Sequence, residues 1–144
     1  MLTWRTEHNT RPVVLVVEDN RVNRMVARQI RKRGDIDTEE AEGGLPALEQ
    51  LRESEFDLVL MDVQMPGMDG LEAARAIRRG DAGERNRSIP IVALTAYASP
   101  EDEAACYDAG MDDYLSKPLN ISTFLETVRQ IIEKQRTHPQ GPGA

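Results

Sequence analysis

The stretch Val59-Leu60-Met61-Asp62-Val63-Gln64-Met65-Pro66-Gly67-Met68-Asp69-Gly70 decides the fold. Three apolar residues carry the chain up to a carboxylate, and just beyond it Pro66, Gly67 and Gly70 forbid the strand to continue and punctuate a loop. An uninterrupted apolar run of this kind reads as a strand buried on both faces, which belongs in a parallel sheet. Ligands bind outside the carboxyl ends of the strands in such sheets, so Asp62 stands where chemistry is expected. Taken alone, the position suits a metal ligand, a helix cap or a nucleophile.

Toward the N-terminus, Val13 to Val17 is a second apolar, mostly β-branched run, ending in Glu18-Asp19-Asn20. Asn20 suits an N-cap, and Val22, Met25, Val26 and Ile30 recur at helical spacing until Gly34. Arg21, Arg24, Arg28 and Arg31 occupy the opposite face. That stripe reads either as a solvated face whose last arginines suit the helix dipole, or as a docking face for an acidic partner helix. Ile36 to Ala41 is the weakest strand, because Asp37, Glu39 and Glu40 leave little to bury, and an edge position explains it. Gly43-Gly44 turns the chain into a short helix over Leu45 to Arg52 with the stripe Leu45, Leu48 and Leu51, where Pro46 is tolerable only in the first turn.

The third strand runs from Phe56 to Met61. Beyond the loop, Asp69 caps a helix over Leu71 to Arg79 with the apolar face Leu71, Ala74 and Ile77, which gives its carboxylate a structural task. Gly80 to Ser88 reads as a polar surface loop, and Ile89 to Leu94 as a fourth strand ending in Thr95-Ala96. Ser99-Pro100-Glu101-Asp102 combines a cap, a proline at the first helical position and two first-turn acids, predicting a helix to about Ala109 that stops at Gly110. Tyr114 to Ser116 forms a short fifth strand before Lys117-Pro118, and Asn120 caps a last helix with the stripe Phe124, Leu125, Val128, Ile131 and Ile132. Strand and helix thus alternate five times, the pattern of a parallel sheet covered by helices on both faces.

With 144 residues the chain has the size of one domain. We expect a tail or linker over 1–12, a domain over 13–134 and a flexible tail over 135–144, rich in proline and glycine. A formal net charge of −7 disfavours nucleic acid and anionic membrane as partners and favours proteins or cations. Cys106 is the only cysteine, so no internal disulfide forms, and it reads as an inert packing residue. The N-terminal residues lack the apolar core of a secretory signal and no window reaches the length of a membrane span, so a soluble, cytoplasmic protein is expected.

Right-handed crossovers bring the ends of the first, third, fourth and fifth strands to one edge, gathering Glu18, Asp19, Asp62, Thr95 and Lys117. Three carboxylates so close repel one another unless a cation sits among them, and Mg²⁺ suits an all-oxygen set with no His or Cys.

At these residues the sequence resembles the CheY-like receiver domains of two-component response regulators, most of all those of hybrid histidine kinases. The resemblance is carried by Val16-Val17-Glu18-Asp19-Asn20, by Met61 to Gly70, by Pro90-Ile91-Val92-Ala93-Leu94-Thr95-Ala96 and by Gly110-Met111-Asp112-Asp113-Tyr114-Leu115-Ser116-Lys117-Pro118, and it runs from about Val13 to about Lys134. It implies a flavodoxin-like, doubly wound α/β fold: a five-stranded parallel sheet of order 2-1-3-4-5 between two helical layers, with five helices in all. It implies that Asp62 takes a phosphoryl group from a phosphohistidine on a histidine kinase or histidine-phosphotransfer protein. Glu18, Asp19, Asp62 and the backbone carbonyl of Gln64 would hold Mg²⁺, or Mn²⁺ in its place; Lys117, aimed inward by a cis bond to Pro118, and Thr95 would contact the phosphoryl oxygens. Small Ala96 would leave them room. Thr95 and Tyr114 would then switch the face made by the fourth helix, fifth strand and fifth helix, which is also where a dimer would form. Gln64 and Tyr97 flank the entrance and are expected to set how fast water hydrolyses the acyl phosphate.

Pro46, the acidic second strand and the long loop Gly80 to Ser88 depart from the usual pattern without touching the site. A phosphatase of the haloacid dehalogenase kind would want an Asp two residues after the nucleophile, where Gln64 stands, and a dinucleotide-binding domain would want a Gly-rich turn in place of Glu18-Asp19-Asn20. A degenerate receiver acting only as an interaction module would have lost site residues that are present here. Two contexts stay open, a piece of a hybrid histidine kinase, which the motif style favours, and a free-standing single-domain regulator.

Overall fold

The computed structural model describes residues 11–19, 21–33, 35–65, 67–96 and 99–137, without the side chains of residues 21–24 and 135–137. The expected cap Asn20, the stop at Gly34, the breaker Pro66, the entrance residue Tyr97 and most of both expected tails lie outside the described residues.

Five strands, β1 (Val13–Val17), β2 (Asp37–Ala41), β3 (Leu58–Asp62), β4 (Ile91–Thr95) and β5 (Asp113–Ser116), alternate with five helices, α1 (Arg21–Arg33), α2 (Gly44–Glu53), α3 (Gly70–Arg79), α4 (Pro100–Asp108) and α5 (Ile121–Thr137). All pairings are parallel and the order is β2-β1-β3-β4-β5, the doubly wound α/β arrangement expected from the sequence. The acidic strand β2 does lie at an edge, where Asp37, Glu39 and Glu40 are exposed while Thr38 and Ala41 face inward.

Side chains alternate along each central strand, so the sheet divides two cores. Leu15, Val17, Val59, Met61, Ile91 and Ala93 pack under α2, α3 and α4. Val14, Val16, Leu58, Leu60, Val92 and Leu94 pack under α1 and α5, around fully buried Phe124. Strand order reverses at β1, which has β2 on one side and β3 on the other, and this opens a crevice at the carboxyl ends of β1 and β3.

Several expectations change in detail. Strand β3 begins two residues later than periodicity placed it and includes Asp62 as its last residue, paired with Leu94. Met25 and Leu45, assigned to apolar stripes, are 52% and 62% exposed, because their helices need only narrow faces to cover the sheet. In α3 the buried face is Gly70, Ala73, Ala74, Ala76 and Ile77, whereas Leu71 is half-buried. The segment Gly80 to Ser88 is not simply a surface loop: it contains a 3₁₀ turn, Glu84–Asn86, and buries Ala82 and Asn86. Asn86 Nδ2 donates to Leu51 O at 2.8 Å and Ala82 O at 2.9 Å, which satisfies its amide and fixes the segment to the end of α2.

Candidate functional site

Each site residue is delivered by the end of a strand. Glu18 and Asp19 follow β1, and the Glu18 N–H donates to Ala41 O at 3.0 Å, extending the sheet's pairing beyond the strand. Asp62 ends β3 with 1% of its surface exposed, Glu18 is 2% exposed, and Asp19 lies open to solvent. Ligand oxygens of these three carboxylates all lie within 4.8 Å of one another. Lys117 follows β5; its N–H donates to Thr95 O at 2.7 Å, and its peptide bond to Pro118 is cis. The Lys117 Nζ stands 3.0 Å from Asp62 Oδ1 and 3.5 Å from Glu18 Oε2.

Burial alone would lower the Lys117 pKa, but its hydrogen bond and attraction to Asp62, and then to Glu18, outweigh that and hold the ammonium above its ordinary value. One ammonium among three carboxylates does not balance their formal charge, which a divalent cation would do. The donors are all carboxylate oxygens, hard ligands suited to Mg²⁺, and Asp19 stays open for an ion that keeps some of its waters.

Thr95 is buried at the end of β4 and Ala96 is exposed beside it. Gln64 is exposed, and its backbone N–H donates to Asp62 Oδ1 at 3.1 Å. Sequence reasoning assigned Gln64 a carbonyl role and missed this donor, although a residue two positions past a strand-end carboxylate is well placed to make such a turn. Asp69 sits away from the carboxylates and caps α3 reciprocally with Glu72, accepting from Glu72 N at 2.9 Å while Glu72 Oε1 accepts from Asp69 N at 3.1 Å.

Tyr114 is half-buried on β5 and meets Tyr107 of α4 edge to face, with ring centroids 6.4 Å apart. Desolvation, then the charge of Glu103 and a hydrogen bond to it, push the Tyr114 phenol pKa up. The sequence pattern gave no sign of this α4 contact beyond Glu103 and Tyr107 sharing one helix face. Cys106 is buried among the core residues under α4, and its thiol pKa is raised by burial and by Asp102 and Glu103.

Known proteins share both the sequence and the shape. The sensor protein GacS of Pseudomonas syringae pv. syringae is 44% identical over 117 residues, which are 81% of this chain and 13% of GacS, so the chain spans about an eighth of that relative's length. The polar-differentiation response regulator DivK of Brucella anthropi is 35% identical over 83% of this chain and 94% of DivK. Among solved structures, the receiver domain of the sensor histidine kinase PA1611 from Pseudomonas aeruginosa PAO1, with a magnesium ion coordinated in its active site cleft, superposes with a TM-score of 0.76 at 34% identity, covering 85% of this chain and 98% of that one. The receiver domain of the response regulator Ssk1 of Saccharomyces cerevisiae, solved with the histidine phosphotransfer protein Ypd1, gives 0.77 at 30% identity over 88% and 92%. The description of the response regulator receiver domain matches residues 14–129, and with the strand order and the acidic crevice it places this chain in that family, as a receiver domain of two-component signalling.

Proposed function

We propose that Asp62 is the phosphoacceptor of a phosphorelay and that residues 13–134 form the working unit. The observation that carries this is a carboxylate 1% exposed at the end of β3, with a lysine Nζ at 3.0 Å and two further carboxylates beside it. An Asp62 oxygen attacks the phosphorus of a phosphohistidine in line; the P–N bond breaks, the imidazole leaves neutral as it takes up a proton, and an aspartyl phosphate remains. Lys117 supplies positive charge to the transferring oxygens, Thr95 a hydroxyl donor, and the exposed side of Ala96 leaves room for them. Glu18, Asp19, Asp62 and the Gln64 carbonyl hold Mg²⁺, for which Mn²⁺ substitutes, and the bound ion supplies neutralisation of charge on the phosphoryl group.

Thr95 and Tyr114 couple that event to the surface of α4, β5 and α5, which serves the output, a dimer contact included; sedimentation before and after phosphorylation checks the dimer. Exposed Gln64, with Tyr97, sets the lifetime of the acyl phosphate, so Gln64→Ala changes the rate of dephosphorylation, measured by loss of label.

The donor is a histidine kinase or a histidine phosphotransfer protein, supported by the Ssk1–Ypd1 likeness. The 44% identity to a segment of GacS favours a hybrid-kinase parent, while the match over 94% of DivK favours a stand-alone regulator as the second reading. The reading frame around this segment separates them, since only the first continues into a kinase core.

Incubation with acetyl phosphate tests the central reading. Wild type gains one phosphoryl by intact mass only with Mg²⁺, and Asp62→Asn gains none. Uptake without dependence on Mg²⁺ or on Asp62 would overturn the assignment.

A further inference from the structure

A single peptide plane stands between α3 and the Asp62 carboxylate. The peptide joining Val63 to Gln64 is held at both ends: its carbonyl accepts from Gly70 N–H at 3.1 Å, and its N–H donates to Asp62 Oδ1 at 3.1 Å. Val63 N–H also donates to Leu94 O at 3.0 Å, tying the same residue to β4. Because a peptide unit is rigid and planar, a displacement at its carbonyl end is felt at its N–H end.

Gly70, the first residue of α3, reaches this plane because it has no side chain. A Cβ there would overlap the Asp62 carbonyl oxygen and stand 2.9 Å from Val63 Cα and 3.0 Å from the Asp62 carbonyl carbon. These are backbone atoms at the end of a central strand, so they cannot step aside as a flexible side chain could. The reciprocal Asp69–Glu72 cap fixes the first turn of α3, so the Gly70 N–H is presented from a held position.

We propose that Gly70 is a positioning residue for phosphoryl transfer: its close approach seats the Val63–Gln64 peptide, which in turn orients the Asp62 carboxylate. This rests on Asp62 being the phosphoacceptor. The Gln64 carbonyl proposed for the metal belongs to the next peptide, one Cα along, so Gly70 also bears on Mg²⁺ affinity.

The test compares wild type, Gly70→Ala, Glu72→Ala and, as a destabilised control at the far end of the sheet, Asn86→Ala, all at a temperature where each is folded. Hydrogen exchange of the Gln64 amide is read by NMR without metal, Mg²⁺ affinity by calorimetry, and phosphorylation rate with acetyl phosphate. Gly70→Ala is expected to speed Gln64 exchange, weaken Mg²⁺ binding and slow phosphorylation on the order of tenfold or more. Glu72→Ala, which loosens the first turn without adding bulk, moves all three the same way by less, and it carries the test should Gly70→Ala not fold. Asn86→Ala loses stability and leaves all three unchanged. The proposal fails if wild type is phosphorylated on Asp62 while the folded α3 variants match it or match Asn86→Ala. A wild type that takes up no phosphoryl group would instead overturn the phosphoacceptor reading.

Discussion

Asp62 is buried beside two further carboxylates with the Lys117 ammonium at 3.0 Å, one positive group among three acidic ones, a balance that a bound divalent cation would complete. Two consequences belong to single residues. Mg²⁺ added to wild type should raise the melting temperature, since a ligand that binds only the folded state stabilises it by mass action, and Asp19→Asn should remove most of that rise without a large change in the metal-free melting temperature. Lys117 titrates at alkaline pH. Its folded pKa lies above its ordinary 10.5, so the stability it contributes is full below that value and is lost as pH climbs through the folded pKa. In EDTA, wild type should therefore lose stability in an alkaline limb above about pH 10.5 that Lys117→Met lacks, measured by urea midpoints across the range. At this scale much was legible in the sequence, because strand ends are marked by breakers and the polar residues there have no packing reason to exist. The Gln64 N–H was overlooked, although Asp62 two residues before it is the residue type that makes such a turn.

Among the elements, α1 and α3 have distinct duties. Every charged residue of α1 is basic, with Arg28, Arg31, Lys32 and Arg33 exposed and Met25 exposed beside them. Reversing Arg24 and Arg28 to Glu should slow transfer from a phosphohistidine partner while acetyl phosphate labelling stays intact; equal partner rates would return the stripe to solvent. Helix α3 is braced at its other end. Arg78 donates to the carbonyls of Gly110, Arg87 and Ile89 and pairs with Asp112 Oδ2 at 2.9 Å, and burial lowers its pKa despite that partner. Asn86→Ala should cost about 1–3 kcal/mol in chemical denaturation by removing the amide donor to the Ala82 carbonyl and one of two donors to the Leu51 carbonyl, which keeps Arg85 Nη2 at 3.1 Å. Periodicity, with capping signals for α4, placed the five strands and five α-helices among the described residues, yet Gly80 to Ser88 read as surface, because what buries Asn86 is a contact across the sequence with the end of α2. It overcounted Leu45 and Met25 for a related reason: helical spacing shows which residues share a face and not how wide a face the sheet can cover.

For the molecule as a whole, the alternation of strands and helices fixed the fold class from the sequence, while the strand order came from the family resemblance and agrees with the sheet. The two cores on either side of that sheet are unlike. Among the described residues, eight of the twenty buried under α2, α3 and α4 are alanine, against one of thirteen under α1 and α5, where Phe124, Ile30 and Leu60 fill the space. Small residues let α3 lie close to the sheet, as Gly70 requires. Tolerance to sequence change therefore has a direction: the α3 side resists added volume and the α5 side resists its removal. Ala74→Leu and Phe124→Ala should both unfold more readily, the second by about 3–5 kcal/mol in chemical denaturation. A drifting lineage of this domain would accordingly repack its α1 and α5 layer by exchanging one bulky side chain for another, and would keep its α3 layer thin.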